Sequence, residues 1–323
     1  MEKIKRKDGY VFWQAIAPGV WRMKDIFVNI FMIHNSGDNT WVLVDTGLKT
    51  SAPKIKRMAE HLFWPDLKPS GIILTHGHFD HVGSAVMLAE EWDVPVYAHR
   101  MERPYLTGQS SYPPPDPTVG GGILASLSWM YPRGPISLGR HLSLLPADGT
   151  IPCLPEWKYI HTPGHAPGHI SIFRERDRVL IAGDAFVTTQ QESATAVMTQ
   201  SKKLCGPPKY FTYNWTSAQE SVKKLAALEP EIVATGHGQP MRGSQMRNAL
   251  HNLADNFEEH AVPSHGRYVD DPAYVNADGV ESVPPPAAPV KLILQLAVFT
   301  AAVALTWWAL KERRKKTVRF SLN

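Results

Sequence analysis

Cysteine is almost absent from this chain: only Cys153 and Cys205 occur in 323 residues. Neither lies in a pattern that suits a metal-ligand or redox pair. That scarcity excludes a disulfide-stapled scaffold and a thiolate cluster, and makes a reduced compartment the simpler reading. An excess of one charge is missing too. The formal net charge is +4, but residues 311–319 carry six basic side chains against one acidic, so residues 1–310 net about −1. A body so balanced is not a nucleic-acid surface by charge, and no nucleic-acid partner is expected. Behind the basic start Met1–Lys7 there is no apolar stretch of signal-peptide length, so no cleavable export signal is read.

What is present is ordinary for a globular protein, 43% apolar and 20% charged, and long enough for one large domain with an appendage. Chemistry concentrates in Thr75-His76-Gly77-His78-Phe79-Asp80-His81, where three imidazoles and a carboxylate fall within six residues. The stretch follows Ile72-Ile73-Leu74, an apolar run that reads as a buried strand entering a loop. His76 and His78, two apart on an extended segment, can chelate one ion, while Asp80 and His81 point elsewhere and can hold a second. Free imidazoles packed this tightly have little structural use, so the spacing suggests two metals from one loop.

Around that loop, Gly19–Met23, Phe27–Ile33 and Thr40–Val44 read as consecutive strands with short polar turns, an antiparallel start. Asp45 stands where the last of them meets a turn, and serves either turn chemistry or the support of the metals. Pro53–Leu62 and Gly83–Trp92 read as helices and Val94–Ala98 as a strand, which makes a layered α/β arrangement. Residues 103–140 break this rhythm with Tyr112-Pro113-Pro114-Pro115-Asp116-Pro117, Gly120-Gly121-Gly122 and the apolar Trp129, Met130 and Tyr131. The segment is too long for a connector, and reads as a lid or binding loop with an apolar substrate wall, or as an insertion packed on itself.

A second cluster, His161-Thr162-Pro163-Gly164-His165-Ala166-Pro167-Gly168-His169, follows the strand Trp157–Ile160. Its Pro and Gly residues make a rigid loop that can hold one imidazole against the first cluster. His165 is the expected ligand, and His161 and His169 the expected supports. A hairpin, Ile170–Phe173 and Val179–Ala182, ends at Asp184, where a carboxylate can span two cations. A helix over Ser217–Leu228 and a strand over Glu231–Ala234 lead to Gly236-His237-Gly238. Met241–Glu259 reads as a closing helix, and the Pro-rich composition that follows reads as a linker.

Strand-end groups in the order His-x-His-x-Asp-His, His, Asp, His resemble the metallo-β-lactamase superfamily of metallo-hydrolases. The resemblance runs from about Gly19 to about Gly243 and includes Asp45-Thr46-Gly47, Pro163-Gly164-His165 and Gly183-Asp184. It implies an α/β fold, a four-layer αββα sandwich with the ligands at one edge. It also implies that His76, His78 and His165 bind one metal and Asp80, His81 and His237 a second, with Asp184 bridging. Two zinc ions suit such a set, and manganese or iron can occupy it. A metal-bridging hydroxide would then attack the carbonyl of a small ester, lactone or thioester, with Asp80 orienting the nucleophile or passing a proton. Asp184 and His81 point to the dinuclear, lactonase or glyoxalase II type rather than to zinc β-lactamases with a cysteine ligand. Val187 departs from the tyrosine that quorum-signal lactonases carry three residues after the bridging aspartate. The alternatives are a phosphodiesterase, a non-catalytic membrane-tethered binding protein, and an iron-dependent sulfur oxygenase of the same fold.

In the tail, Leu292–Leu310 is nineteen residues with only Gln295, Thr300 and Thr306 polar, flanked by Lys291 and a basic segment, with Trp307-Trp308 at one end. At about 1.5 Å per residue it can span a bilayer core. The expected organisation is a catalytic domain over 1–261, a linker over 262–290, a transmembrane helix over 291–310 and a basic tail over 311–323. It implies a single-pass protein that contacts membrane lipid, with its catalytic domain on the cytoplasmic side.

Overall fold

Strands that are apolar on both faces need cover on both sides, and the chain meets that need with two sheets packed face to face. The computed structural model describes residues 2–6, 9–64 and 67–287, with side chains from Trp13 onward. The first sheet runs in chain order through β1 (Glu2–Arg6), β2 (Gly9–Ala17), β3 (Val20–Asp25), β4 (Val28–Asn35), β5 (Thr40–Val44), β6 (Gly71–Ile73), β7 (Val96–Ala98) and β8 (Leu142–Leu144). It is antiparallel as far as β5 and parallel from β5 to β8. The second contains β9 (Trp157–His161), β10 (Ile170–Arg174), β11 (Val179–Ile181), β12 (Ile232–Ala234) and β13 (Met241–Arg242) in the spatial order β13-β12-β11-β10-β9. In it β11 and β12 are parallel and the other pairs antiparallel.

Alternation of side chains across each strand sorts the apolar residues into three stacked cores. Ile30 and Met32 of β4, with Trp41 and Leu43 of β5, join an outer core that includes Ile55 and Met58 of helix Ala52–Leu62 and Leu88 of helix Ala85–Trp92. Their neighbours Phe31, Ile33, Val42 and Val44 face the other way and meet Ile170, Ile172, Val179 and Ile181 of the second sheet. On the far side, Phe173, Leu180 and Val233 pack with Val222 and Leu225 of helix Trp215–Ala226 and Leu250 of helix Gly243–Asp255. The result is the expected αββα order of layers. Each fully enclosed aliphatic side chain contributes about 1.5–3 kcal/mol, so the central layer alone fixes the two sheets against each other. Parallel strands β5, β6, β11 and β12 all deliver their carboxyl ends to one edge, and the polar loops start there.

Several expectations are corrected. The closing helix over 241–259 is broken at Asn256 into Gly243–Asp255 and Phe257–His260. The compact unit extends to Pro285, so most of the stretch read as a linker belongs to it. Its aromatic and polar groups find partners in the 103–140 segment: the Tyr268 hydroxyl donates to the Pro114 carbonyl at 2.5 Å, and the Arg267 N–H to Asp116 at 2.6 Å. The hairpin of β14 (Tyr274–Asn276) and β15 (Gly279–Ser282) is tied down by the Val280 N–H on the Ser110 hydroxyl at 3.2 Å. The membrane reading is corrected as well. Among the described residues no helix is long and apolar enough to cross a membrane, and the expected span 291–310 lies outside the described residues. Among the described residues the fold is therefore the sandwich with no membrane-crossing helix, and none of them supports the membrane-anchored localisation or the lipid contact.

Candidate metal centre

Beyond β6 the chain is held by Asp45, whose backbone sits in the left-handed region at φ 60°. Its carboxylate accepts from the Thr75 N–H and hydroxyl, both at 2.8 Å, and from His81 Nδ1 at 2.7 Å. Since the Thr75 hydroxyl donates to Asp45, it accepts from His76 Nδ1 at 3.0 Å. His237 Nδ1 donates to the Phe27 carbonyl at 2.9 Å. In all three rings the outer nitrogen is thus engaged and Nε2 is left facing inward, the arrangement in which neighbours fix the tautomer of a ligating histidine. The short helix Phe79–Val82 begins just after His78 and turns Asp80 and His81 away from the extended His76-Gly77-His78 segment. One loop can therefore serve two positions.

Other loops close on this one. The Asp184 N–H donates to His169 Nε2 at 2.8 Å, and His169 Nδ1 donates in turn to the Thr162 hydroxyl at 2.8 Å. Buried Asn29 donates to the Thr235 and Gly238 carbonyls at 2.7 and 2.8 Å, fixing the His237 turn, and is itself held by Arg22 Nε at 2.7 Å. A Cβ on Gly236 would lie 2.1 Å from Asp184 Oδ1, so only glycine lets this turn approach the carboxylate.

The seven residues singled out in the sequence come together. Donor atoms of His76, His78 and His165 lie within 4.8 Å of one another, as do those of Asp80, His81 and His237 and those of His76, His81 and Asp184. Asp184 stands between: its Oδ2 is 3.0 Å from His237 Nε2, 3.5 Å from His165 Nε2 and 3.6 Å from His81 Nε2. His78 Nδ1 and His165 Nε2 are 3.0 Å apart, close to the separation of about 3.3 Å between two nitrogens on one tetrahedral zinc. His76 Nε2, His81 Nε2 and Asp184 Oδ1 are buried without a hydrogen-bond partner. Unpaired buried polar atoms are costly, and three of them converging on one space fit cations.

Protonation agrees with that fit. Burial pushes His78 down to about 3 and holds His76 and His165 well below the usual imidazole range, so these rings are neutral and carry lone pairs. Burial also works against charge on His81 and His237, but Asp45 and Asp184 overcome it at His81, and Asp184 does so at His237. Burial alone would raise Asp184; the His237 and His81 imidazoles instead hold it well below the carboxylate range. At Asp80 burial wins and the carboxyl is raised. A cation arriving at such a centre displaces the protons these carboxylates hold on their imidazoles.

Two residues that the sequence did not mark as part of the site, Glu102 and Tyr112, complete the frame. Glu102, fully buried, accepts from the Gly77 N–H at 2.8 Å and the Gly168 N–H at 2.7 Å, and so clamps the two histidine loops to each other. Tyr112 donates to the same carboxylate and accepts from Gly77 at 2.9 Å. Burial pushes Glu102 up to about 7 against these bonds. A cleft opens over Asp80, Asp184 and His237, walled by Phe27, Phe79, Leu124, Tyr131 and Phe211. Leu124 and Tyr131 come from the 103–140 segment, whereas Trp129 and Met130 of that segment are exposed.

An α/β sandwich with a buried cluster for divalent cations at one edge defines a class, and comparison with known proteins gives the family. The model of the metallo-beta-lactamase superfamily matches residues 23–237. The probable metallo-hydrolase YflN of Bacillus subtilis is 46% identical over 240 residues, 74% of this chain and 91% of that protein. Hydroxyacylglutathione hydrolase GloC of Haemophilus influenzae is 30% identical over 132 residues, 40% of this chain and 55% of that protein. The crystal structure of the metallo-beta-lactamase family protein TTHA1429 of Thermus thermophilus superposes with a TM-score of 0.51 at 19% identity, covering 76% of this chain and 81% of that one, a likeness of fold. The chain belongs to the metallo-beta-lactamase superfamily, as a metallo-hydrolase.

Proposed function

We propose that the chain hydrolyses a small ester, lactone or thioester at a centre of two divalent cations, with zinc the expected metal. The observation that carries this reading is the position of Asp184, whose one oxygen faces imidazoles of both groups. His76, His78 and His165 would hold one ion and Asp80, His81 and His237 the other, with Asp184 shared. Bound there, the ions supply a water acidified to a pKa of about 7 and a polarised carbonyl oxygen. Asp45 keeps His81 in one tautomer, and His169 holds the Asp184 backbone in place. Asp80, 3.5 Å from His237 Nε2, orients the attacking water and takes its proton. The water oxygen joins the acyl carbon, the C–O or C–S bond breaks, and the proton passes to the departing oxygen or sulfur. The aromatic walls keep other water out.

A panel of lactones, thioesters, β-lactams and phosphodiesters offered to the metal-loaded chain tests the reading. Turnover of the carbonyl esters that disappears in His78→Ala and Asp184→Ala, both still folded, supports it. Turnover confined to phosphodiesters would replace it.

A further inference from the structure

We infer that the substrate is uncharged with an apolar acyl group, and that the Gln191 amide positions its polar end; this rests on the hydrolytic reading above. Among the described residues that line the cleft there is no lysine or arginine. A carboxylate or phosphate away from the scissile bond would lose its water against Phe27, Phe79, Leu124, Tyr131 and Phe211 and find no counter-charge. An aliphatic or aromatic group gains from the same walls.

Besides Asp80, Asp184 and His237, the polar side chains in this lining are Tyr131, Tyr210 and the amide of Gln191. Gln191 is 3% exposed, and its Oε1 is buried with no hydrogen-bond partner. Three polar side chains around it are committed: the Thr189 hydroxyl donates to the Ala196 carbonyl at 3.3 Å, the Tyr131 hydroxyl to the Leu124 carbonyl at 3.0 Å, and Glu192 accepts from the Lys209 N–H at 2.9 Å. An amide left unpaired in a nearly dry wall weakens the fold, and leucine in its place would not carry that cost. In the same lining as Asp80 and His237, the amide is placed to pair with an uncharged oxygen of the scissile ester itself. Being uncharged, it adds no attraction for an anionic substrate.

The test uses the metal-loaded full chain and the p-nitrophenyl esters of octanoic acid and of suberic acid, which share a leaving group and a chain length but differ by a terminal carboxylate. The octanoate should exceed the suberate half ester in kcat/KM by at least about tenfold. Gln191→Leu should lower kcat/KM on the octanoate about tenfold at unchanged metal content, with Gln191→Asn between the two. Gln191→Arg should shift the preference towards the half ester. Equal or faster turnover of the half ester by the parent protein overturns the substrate class while leaving the hydrolase. Undiminished activity of Gln191→Leu overturns the assignment of the amide. With two metals bound and no ester, lactone or thioester cleaved, the hydrolytic reading falls and this inference with it.

Discussion

Glu102→Gln separates two opposed effects at the clamp between the histidine loops. Glutamine keeps one acceptor and turns an NH2 towards either Gly77, whose N–H then keeps only the Tyr112 hydroxyl, or Gly168, whose N–H is then unpaired at a cost of about 1–3 kcal/mol. The wild-type carboxyl carries a titration the variant lacks. Its folded value is raised from 4.5 to about 7, so between those values the folded state binds more protons than the unfolded state. Stability from this group is then fully present below about 4.5 and is lost as the pH rises to about 7, amounting to roughly 3 kcal/mol. The lead of wild type over Glu102→Gln should accordingly be largest near pH 5 and shrink by up to about 3 kcal/mol by pH 8. Urea unfolding of both proteins at saturating metal, followed by tryptophan fluorescence across that range, measures the lead directly, and effects common to both proteins cancel. A lead that widens with pH would mean that the bonds from Gly77, Gly168 and Tyr112 outweigh burial, and would refute the reasoning.

Three further outcomes follow from the same geometry. Asp45→Asn should weaken metal binding about 10–100-fold, because the His81 tautomer loses its charged partner; competition against a chromophoric chelator reads this, and unchanged affinity would remove Asp45 from the support of the centre. Gly236→Ala should lower the metal content of a folded protein, since its Cβ would press on Asp184. Asn29→Ala removes two bonds to the His237 turn and leaves buried Arg22 with only its bond to Gln200 at 3.2 Å; a loss of about 2–4 kcal/mol in urea unfolding is expected, and a change under about 0.5 kcal/mol would contradict it.

Much of this molecule was readable in the chain because its signals are local. Ile30 to Ile33 and Val42 to Val44 are apolar on both faces, which marks strands covered twice, and His76 to His81 is too dense in donors for a turn. His165, Asp184 and His237 each follow a strand, so their common edge follows once the strands are aligned. Glu102 carried no such signal. In Arg100-Met101-Glu102-Arg103-Pro104 it reads as a surface acid, and only the approach of Gly77 and Gly168 from distant loops makes it a clamp. Gln191 is silent for the same reason. Residues 262–285 were misread because their Pro and Gly content looks like a linker, while the partners of Tyr268 and Val280 lie 154 and 170 residues away in sequence. The membrane span rested on composition alone, and no described helix supports it.

The central claim is that the cluster is a two-cation hydrolytic centre, and metal stoichiometry tests it most directly. Elemental analysis of the purified full chain, dialysed against zinc and then freed of loose metal, should find about two ions per chain, dropping by about one in His165→Ala. A folded wild-type protein that retains no zinc, manganese or iron after such loading would contradict the account.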